Sequence, residues 1–139
     1  MNKKSILTKG IAISLALYGL LSLSMPSIHS AGGIHLGLTG QVFYLVTGLG
    51  FLFAGALTHG WPVIGSLSAA ALFAPQTLAL DTVDFSYNFI GPIHVVFRYQ
   101  MSEFLLLHIN FFAIFCCAVL LLHAFLRGGE RGRPSTCRE

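Results

Sequence analysis

Six histidines stand in a chain of 139 residues, and they are the first candidates for chemistry. An imidazole titrates near neutrality, so it can move protons or bind transition metals. His35 and His94, with the carboxylates Asp81 and Asp84, make the best metal-ligand set in the chain. His29 and Met101 could add donors. Imidazole and carboxylate together suit zinc, nickel or copper. The spacing His29-x5-His35 is too open for a local chelate, so the tertiary fold would have to assemble such a site. Haem is a second candidate. His108 and His123 would lie about 60° out of line and roughly 22 Å apart on one helix. The chain alone therefore cannot hold two stacked haems, but one haem or quinone shared with a partner subunit stays open. No GxSxG, HExxH or phosphate-cradling GxxxxGK[ST] motif occurs. The expectation is a protein that is not an enzyme and has no resident cofactor, a bound metal or shared haem being the alternative.

A second set of polar residues sits in an apolar run. Glu103, Asn110 and Cys117 recur at heptad spacing, which puts them on one helix face as an intramembrane polar stripe. Phe104, Phe111 and Phe115 share another face, suited to lipid or a partner. Cys116 and Cys117 point about 100° apart on a helix and read as packing residues. No CxxC is present, so there is no zinc-ribbon or redox motif.

The elements that must position these residues follow from composition. Hydrophobic residues make up 55% of the chain and charged residues 9%, against about 25% charged in a typical soluble domain. Mean hydropathy is +0.76. So few charges cannot cover a small globule, and so apolar a chain is not disordered. From Gly10 to Leu80 there is no Asp, Glu, Lys or Arg. The fold class expected is all-α, a small polytopic transmembrane helical bundle with three spans plus an N-terminal signal peptide or fourth span. The predicted spans cover residues 11–24, 38–58, 63–80 and 104–126, with Pro75 kinking the third. Residues 1–30 read as a signal peptide or signal anchor. Residues 31–126 form the helical membrane domain with an outer loop at 81–103, and 127–139 a basic cytoplasmic tail. Within the loop, 89–97 is too apolar to be free and is placed at the interface.

Lys3, Lys4 and Lys9 precede the first span, and Arg127, Arg131, Arg133 and Arg138 follow the last. Positive residues stay cytoplasmic, so in a bacterial-type inner membrane both termini are expected on the cytoplasmic side if the first span is retained. Basic residues gathered at the ends, without interleaved aromatics, argue against nucleic acid. Trp61, Tyr99, Arg98 and His123 are expected to anchor the interfaces. Small residues let membrane helices approach closely. Gly48, Gly50, Ala54 and Gly55 on the second span should meet Ser66, Ala70 and Ala74 on the third. The expected role is a non-catalytic accessory or assembly subunit, with the bilayer and other membrane subunits or self-association as partners. The alternatives are a small transport or metal-handling protein, and a redox subunit.

Overall fold

Prolines and small residues divide the apolar sequence into its elements. A computed structural model describes residues 3–33, 36–82, 86–87, 91–102 and 105–131. Helix α1 runs Lys3–Ala31 and α2 runs Leu38–Gly60. Pro62 occupies the first turn of α3, Pro62–Phe73, where its missing N–H costs nothing. A 3₁₀ turn, Ala74–Gln76, follows at Pro75. The chain then enters strands β1 (Leu78–Thr82), β2 (Ser86–Tyr87), β3 (Val96–Ser102) and β4 (Leu105–Asn110), and ends the described part in helix α4, Phe111–Arg131. The protein is mostly helical. Three helices, Ser5–Ala31, Leu38–Gly60 and Phe111–Gly129, are long and apolar enough to cross a membrane.

The small sheet departs from the all-α expectation, and three of the expected spans have other bounds. The first helix does not stop at Ser24 but continues through Pro26. A helix-interior proline removes one backbone hydrogen bond. Next to it, Ser22 Oγ donates to the Tyr18 carbonyl and Ser24 Oγ to that of Leu21. The third segment is a helix of 12 residues, about 18 Å, because Pro75 ends it rather than kinking it. The run expected as a single last span is split at Asn110 into strand and helix. Residues 105–110 pair with both β1 and β3, so their backbone groups are satisfied by neighbours rather than along a helix.

The sheet has the order β2-β1-β4-β3 with antiparallel pairs. Side chains alternate between faces along each strand. The registers Leu80↔Leu107, Tyr99↔Leu107, Leu78↔Ile109 and Phe97↔Ile109 gather one apolar and aromatic face. Ala79↔His108, Arg98↔His108, Asp81↔Leu106 and Val96↔Asn110 define the other, which is polar. The polar face holds the buried positions Ala79, His108 and Asn110. Phe97 and Tyr99 on the apolar face are 54% and 56% exposed.

Neighbouring helices run antiparallel. Gly19 meets Gly48 while Ala12 and Ala16 meet Gly55, so α1 lies tightly on α2. A Cβ at Gly48 would come within 2.9 Å of the Gly19 carbonyl oxygen and 2.6 Å of Leu23 Cγ. Gly65 of α3 abuts the backbone and hydroxyl of Thr58 on α2. Along the other side of α3, Ser66 reaches His123 and the Ala70 carbonyl reaches Cys117. The core joins Leu15, Tyr18, Phe51, Ala54, Phe73 and Leu120. Tyr18 packs edge-on to Phe51 with centroids 4.8 Å apart and stacks near Phe112 at 6.1 Å. The start of α1, the α2–α3 turn and the end of α4 thus share one end of the bundle. The sheet occupies the other.

Candidate functional site

The termini end is tied together by a buried polar chain. His123 on α4 is 3% exposed. Its Nδ1 lies 2.8 Å from Ser66 Oγ on α3, and its Nε2 lies 3.3 Å from Thr8 Oγ1 on α1. Arg127 Nη2 donates to Thr8 Oγ1. Either neutral tautomer runs through the set: Nδ1–H donates to Ser66 while Thr8 donates to Nε2, or Nε2–H donates to Thr8 while Ser66 donates to Nδ1. Small residues make room for the ring, since Ser66 is fully buried and Ala70 lies one turn on. The side chain expected to anchor an interface is instead the polar tie between three helices. A Ser–His pair invites a nucleophile reading, and here Ser66 is fully buried.

The sheet end holds a second ionisable group. His108 is 6% exposed, and its Nε2 lies 3.1 Å from Asp81 Oδ2 on the neighbouring strand. The contact is an ion-pair approach without hydrogen-bond alignment, and Nδ1 has no hydrogen-bond partner among the described residues. Arg98 stands opposite His108 on β3, so the row Asp81, His108, Arg98 crosses three strands on one face. Of the expected metal ligands, Asp81 meets His108, and His94 donates from Nδ1 to the Gly91 carbonyl at 3.2 Å. His35 and Asp84 lie outside the described residues. His29 donates from Nδ1 to the Met25 carbonyl and packs on Tyr44, and Met101 is exposed on β3. Among the described residues, no three His, Cys, Asp or Glu side chains gather as a metal would require.

Asn110 is 2% exposed and closes the sheet onto α4. Its Oδ1 accepts from the Ala113 N–H at 3.4 Å and from the Val95 N–H at 3.3 Å. The first bond is that of a helix N-cap, satisfying an amide that the helix cannot. Its own N–H donates to the Thr77 carbonyl. Asn110 therefore starts the helix rather than lining a helical stripe. Cys117, seven residues on, points its Sγ at the Ala70 carbonyl at 3.5 Å, and Glu103 lies outside the described residues. Nearby, Tyr18 Oη donates to Gln76 Oε1 at 3.0 Å, and both press on Gly91, where a Cβ would overlap them. Sequence reasoning missed this cluster and β3, although Asn before Phe-Phe-Ala is a capping signal.

The packing residues divide between partners. Gly48 and Gly55 face α1, whereas Gly50 lies against Leu72 of α3. Ala54, Ser66 and Ala70 are buried, and Ala74 is exposed in the 3₁₀ turn. Trp61 caps α2 and is exposed, as are Arg98 and Tyr99 on β3. No protein family, curated protein or solved structure matches the chain.

Proposed function

We propose that the chain is a non-catalytic, multi-pass accessory subunit of a bacterial-type inner membrane, seating a larger membrane protein on its sheet. One observation carries this reading: among the described residues β3 is an edge strand of the sheet, exposed from Phe97 to Met101, and its apolar side chains continue an apolar face. An edge strand leaves a row of backbone groups unpaired and templates a further strand. Such an edge is unfavourable in hydrocarbon and prone to association in water. A partner strand resolves both. Helix α1 is kept as an anchor in this reading, because Gly19, Leu15 and Tyr18 complete the packing of α2 and the core.

A photo-crosslinking residue at Tyr99 should join the chain to a second protein in native membranes, and the same residue at Trp61 should not. The double substitution Phe97→Lys, Tyr99→Lys should abolish the crosslinked complex while leaving the chain in the membrane fraction. Isolation as a lone monomer in mild detergent, with no crosslink at position 99, removes the reading. A second reading, metal handling, draws on the approach of Asp81 to His108. It requires metal to co-purify with the chain and to leave on His108→Ala. A visible absorption band in the same preparation would favour a shared haem instead.

A further inference from the structure

The hydrogen bonds of the sheet show which way the backbone of β3 points. The Phe111 N–H donates to the Val95 carbonyl across the β4–β3 pair, while the Asn110 N–H turns the other way, to Thr77 on the β1 side. Directly opposed residues of an antiparallel pair alternate between bonded and non-bonded pairs. In the register Phe97↔Ile109 and Tyr99↔Leu107, Phe97 and Tyr99 therefore turn their N–H and C=O groups toward β4. Val96, Arg98 and Gln100 turn theirs to the outer edge, where no strand pairs with them among the described residues. A register shift between Gln100 and Ser102 interrupts the regular spacing, and bulges of this kind end pairing. The pairable stretch is thus Val96 to Gln100, about 17 Å of strand.

The side chains along this stretch state what a further strand must present. Arg98 is exposed on the polar face, opposite His108, whose Nε2 meets Asp81 on its far side. Among the described residues Arg98 has no carboxylate partner. Opposite charges on directly facing strand residues are favourable and like charges are not, so the position across from Arg98 calls for Asp or Glu. On the other face Phe97 and Tyr99 are both more than half exposed. Their pairs with a new strand would be of the non-bonded kind, in which side chains stand closest, and this favours β-branched or aromatic neighbours. A second copy of β3 does not meet these terms. Val96–Ser102 holds no Asp or Glu, so self-pairing would set Arg98 against an uncharged residue or another Arg98.

We propose that the sheet is completed at β3 by an antiparallel strand of the seated membrane protein, about five residues long, with a carboxylate across from Arg98 and branched or aromatic residues on either side of it. This rests on the reading above that a partner occupies the edge, and it adds the chemistry the partner brings there.

The probe is a capped, fluorescein-labelled peptide of about nine residues that alternates threonine with valine and carries glutamate at the central threonine position. Its binding to the full chain in mild detergent is followed by fluorescence anisotropy. It should bind saturably, and the same peptide with lysine for glutamate should bind more weakly by about tenfold or more. Arg98→Glu should reverse the order of the two peptides. In the antiparallel arrangement the glutamate amide faces β3 and the valine amides face away. N-methylation of the glutamate amide should therefore abolish binding, and N-methylation of a neighbouring valine should leave it unchanged. Absence of saturable binding overturns the proposal. So does equal binding of the glutamate and lysine peptides, the inverse methylation pattern, or a chain that forms a dimer closed to both peptides. Should Arg98→Glu fail to fold, Arg98→Gln should remove the preference between the peptides, and the methylation pattern is read on the wild-type chain. Failed peptide binding beside a persistent Tyr99 crosslink in native membranes would sink this strand chemistry alone, whereas loss of the crosslink as well would sink the seated partner too.

Discussion

Two buried polar side chains, Asn110 and His123, show how single residues set the joints of this molecule. Asn110 serves two backbone donors from different segments, Ala113 and Val95, and it does so where strand becomes helix. Removing an N-cap costs about 0.5–2 kcal/mol, and here a second donor is orphaned as well. Asn110→Ala should therefore lower the thermal unfolding midpoint in detergent, by the equivalent of about 1–2 kcal/mol. Asn110→Asp should retain most of the stability, since its carboxylate still accepts. His123 ties α1, α3 and α4 through Thr8 and Ser66. Interhelical hydrogen bonds in membrane proteins average roughly 0.6 kcal/mol and reach about 1.7. His123→Leu should thus cost about 1–3 kcal/mol, and a double-mutant cycle with Ser66→Ala should show coupling between the two sites. The identity of both residues was visible in the sequence, and their roles were not. His123 near the end of an apolar run reads as an interfacial side chain until Thr8 and Ser66, 115 and 57 residues away, are placed beside it.

At the scale of elements, glycine positions separate close packing from open space. A Cβ at Gly65 would overlap Thr58 backbone and side chain atoms, whereas one at Gly10 would meet nothing. Gly65→Ala must push α3 off α2 and should lower the unfolding midpoint by several degrees. Gly10→Ala should raise it slightly, because alanine favours helix by about 1 kcal/mol over glycine. Equal midpoints for the two variants would contradict the α2–α3 contact. The helices were legible because long charge-free runs have few solutions, and Pro62 marked a helix start. The strands were less so. Phe97-Arg98-Tyr99-Gln100-Met101-Ser102 alternates with period two, the signature of a half-buried strand. Its partner Leu-Leu-Leu-His-Ile-Asn is an apolar run that local pattern cannot assign to strand or helix. Only pairing with β1 and β3 decides it, and pairing is a property of the tertiary fold. The α1–α2 interface was hidden for a related reason: Gly48 and Gly55 are ready for close approach, but nothing local states whether α1 or α3 supplies the other surface.

The directions of the helices give the whole molecule an arrangement that experiment can reach. Thr8 beside His123, Gly19 beside Gly48, and Thr58 beside Gly65 make α1, α2, α3 and α4 alternate in direction. Both ends of the described chain, and the Trp61 turn, therefore sit at one end of the bundle, and the sheet with Arg98 and Met101 sits at the other. Lys9 and Arg127 stand at the first end, which the placement proposed above puts in the cytoplasm. In a background of Cys116→Ala, Cys117→Ala and Cys137→Ser, a membrane-impermeant maleimide should modify Met101→Cys from the periplasmic side of intact cells. Lys9→Cys and Trp61→Cys should react only after the membrane is opened. The same arrangement bears on the fate of α1. This helix supplies Leu15 and Tyr18 to the core and Thr8 to the polar tie. Its loss after Ser30 would strip one wall from both, and would leave Gly48 and Gly55 facing nothing. The intact mass of the membrane-resident chain should accordingly include α1, and the Lys9→Cys label should remain on it. A mature chain beginning near Gly32 would refute this, because a bundle that functions without α1 cannot depend on the contacts that α1 makes.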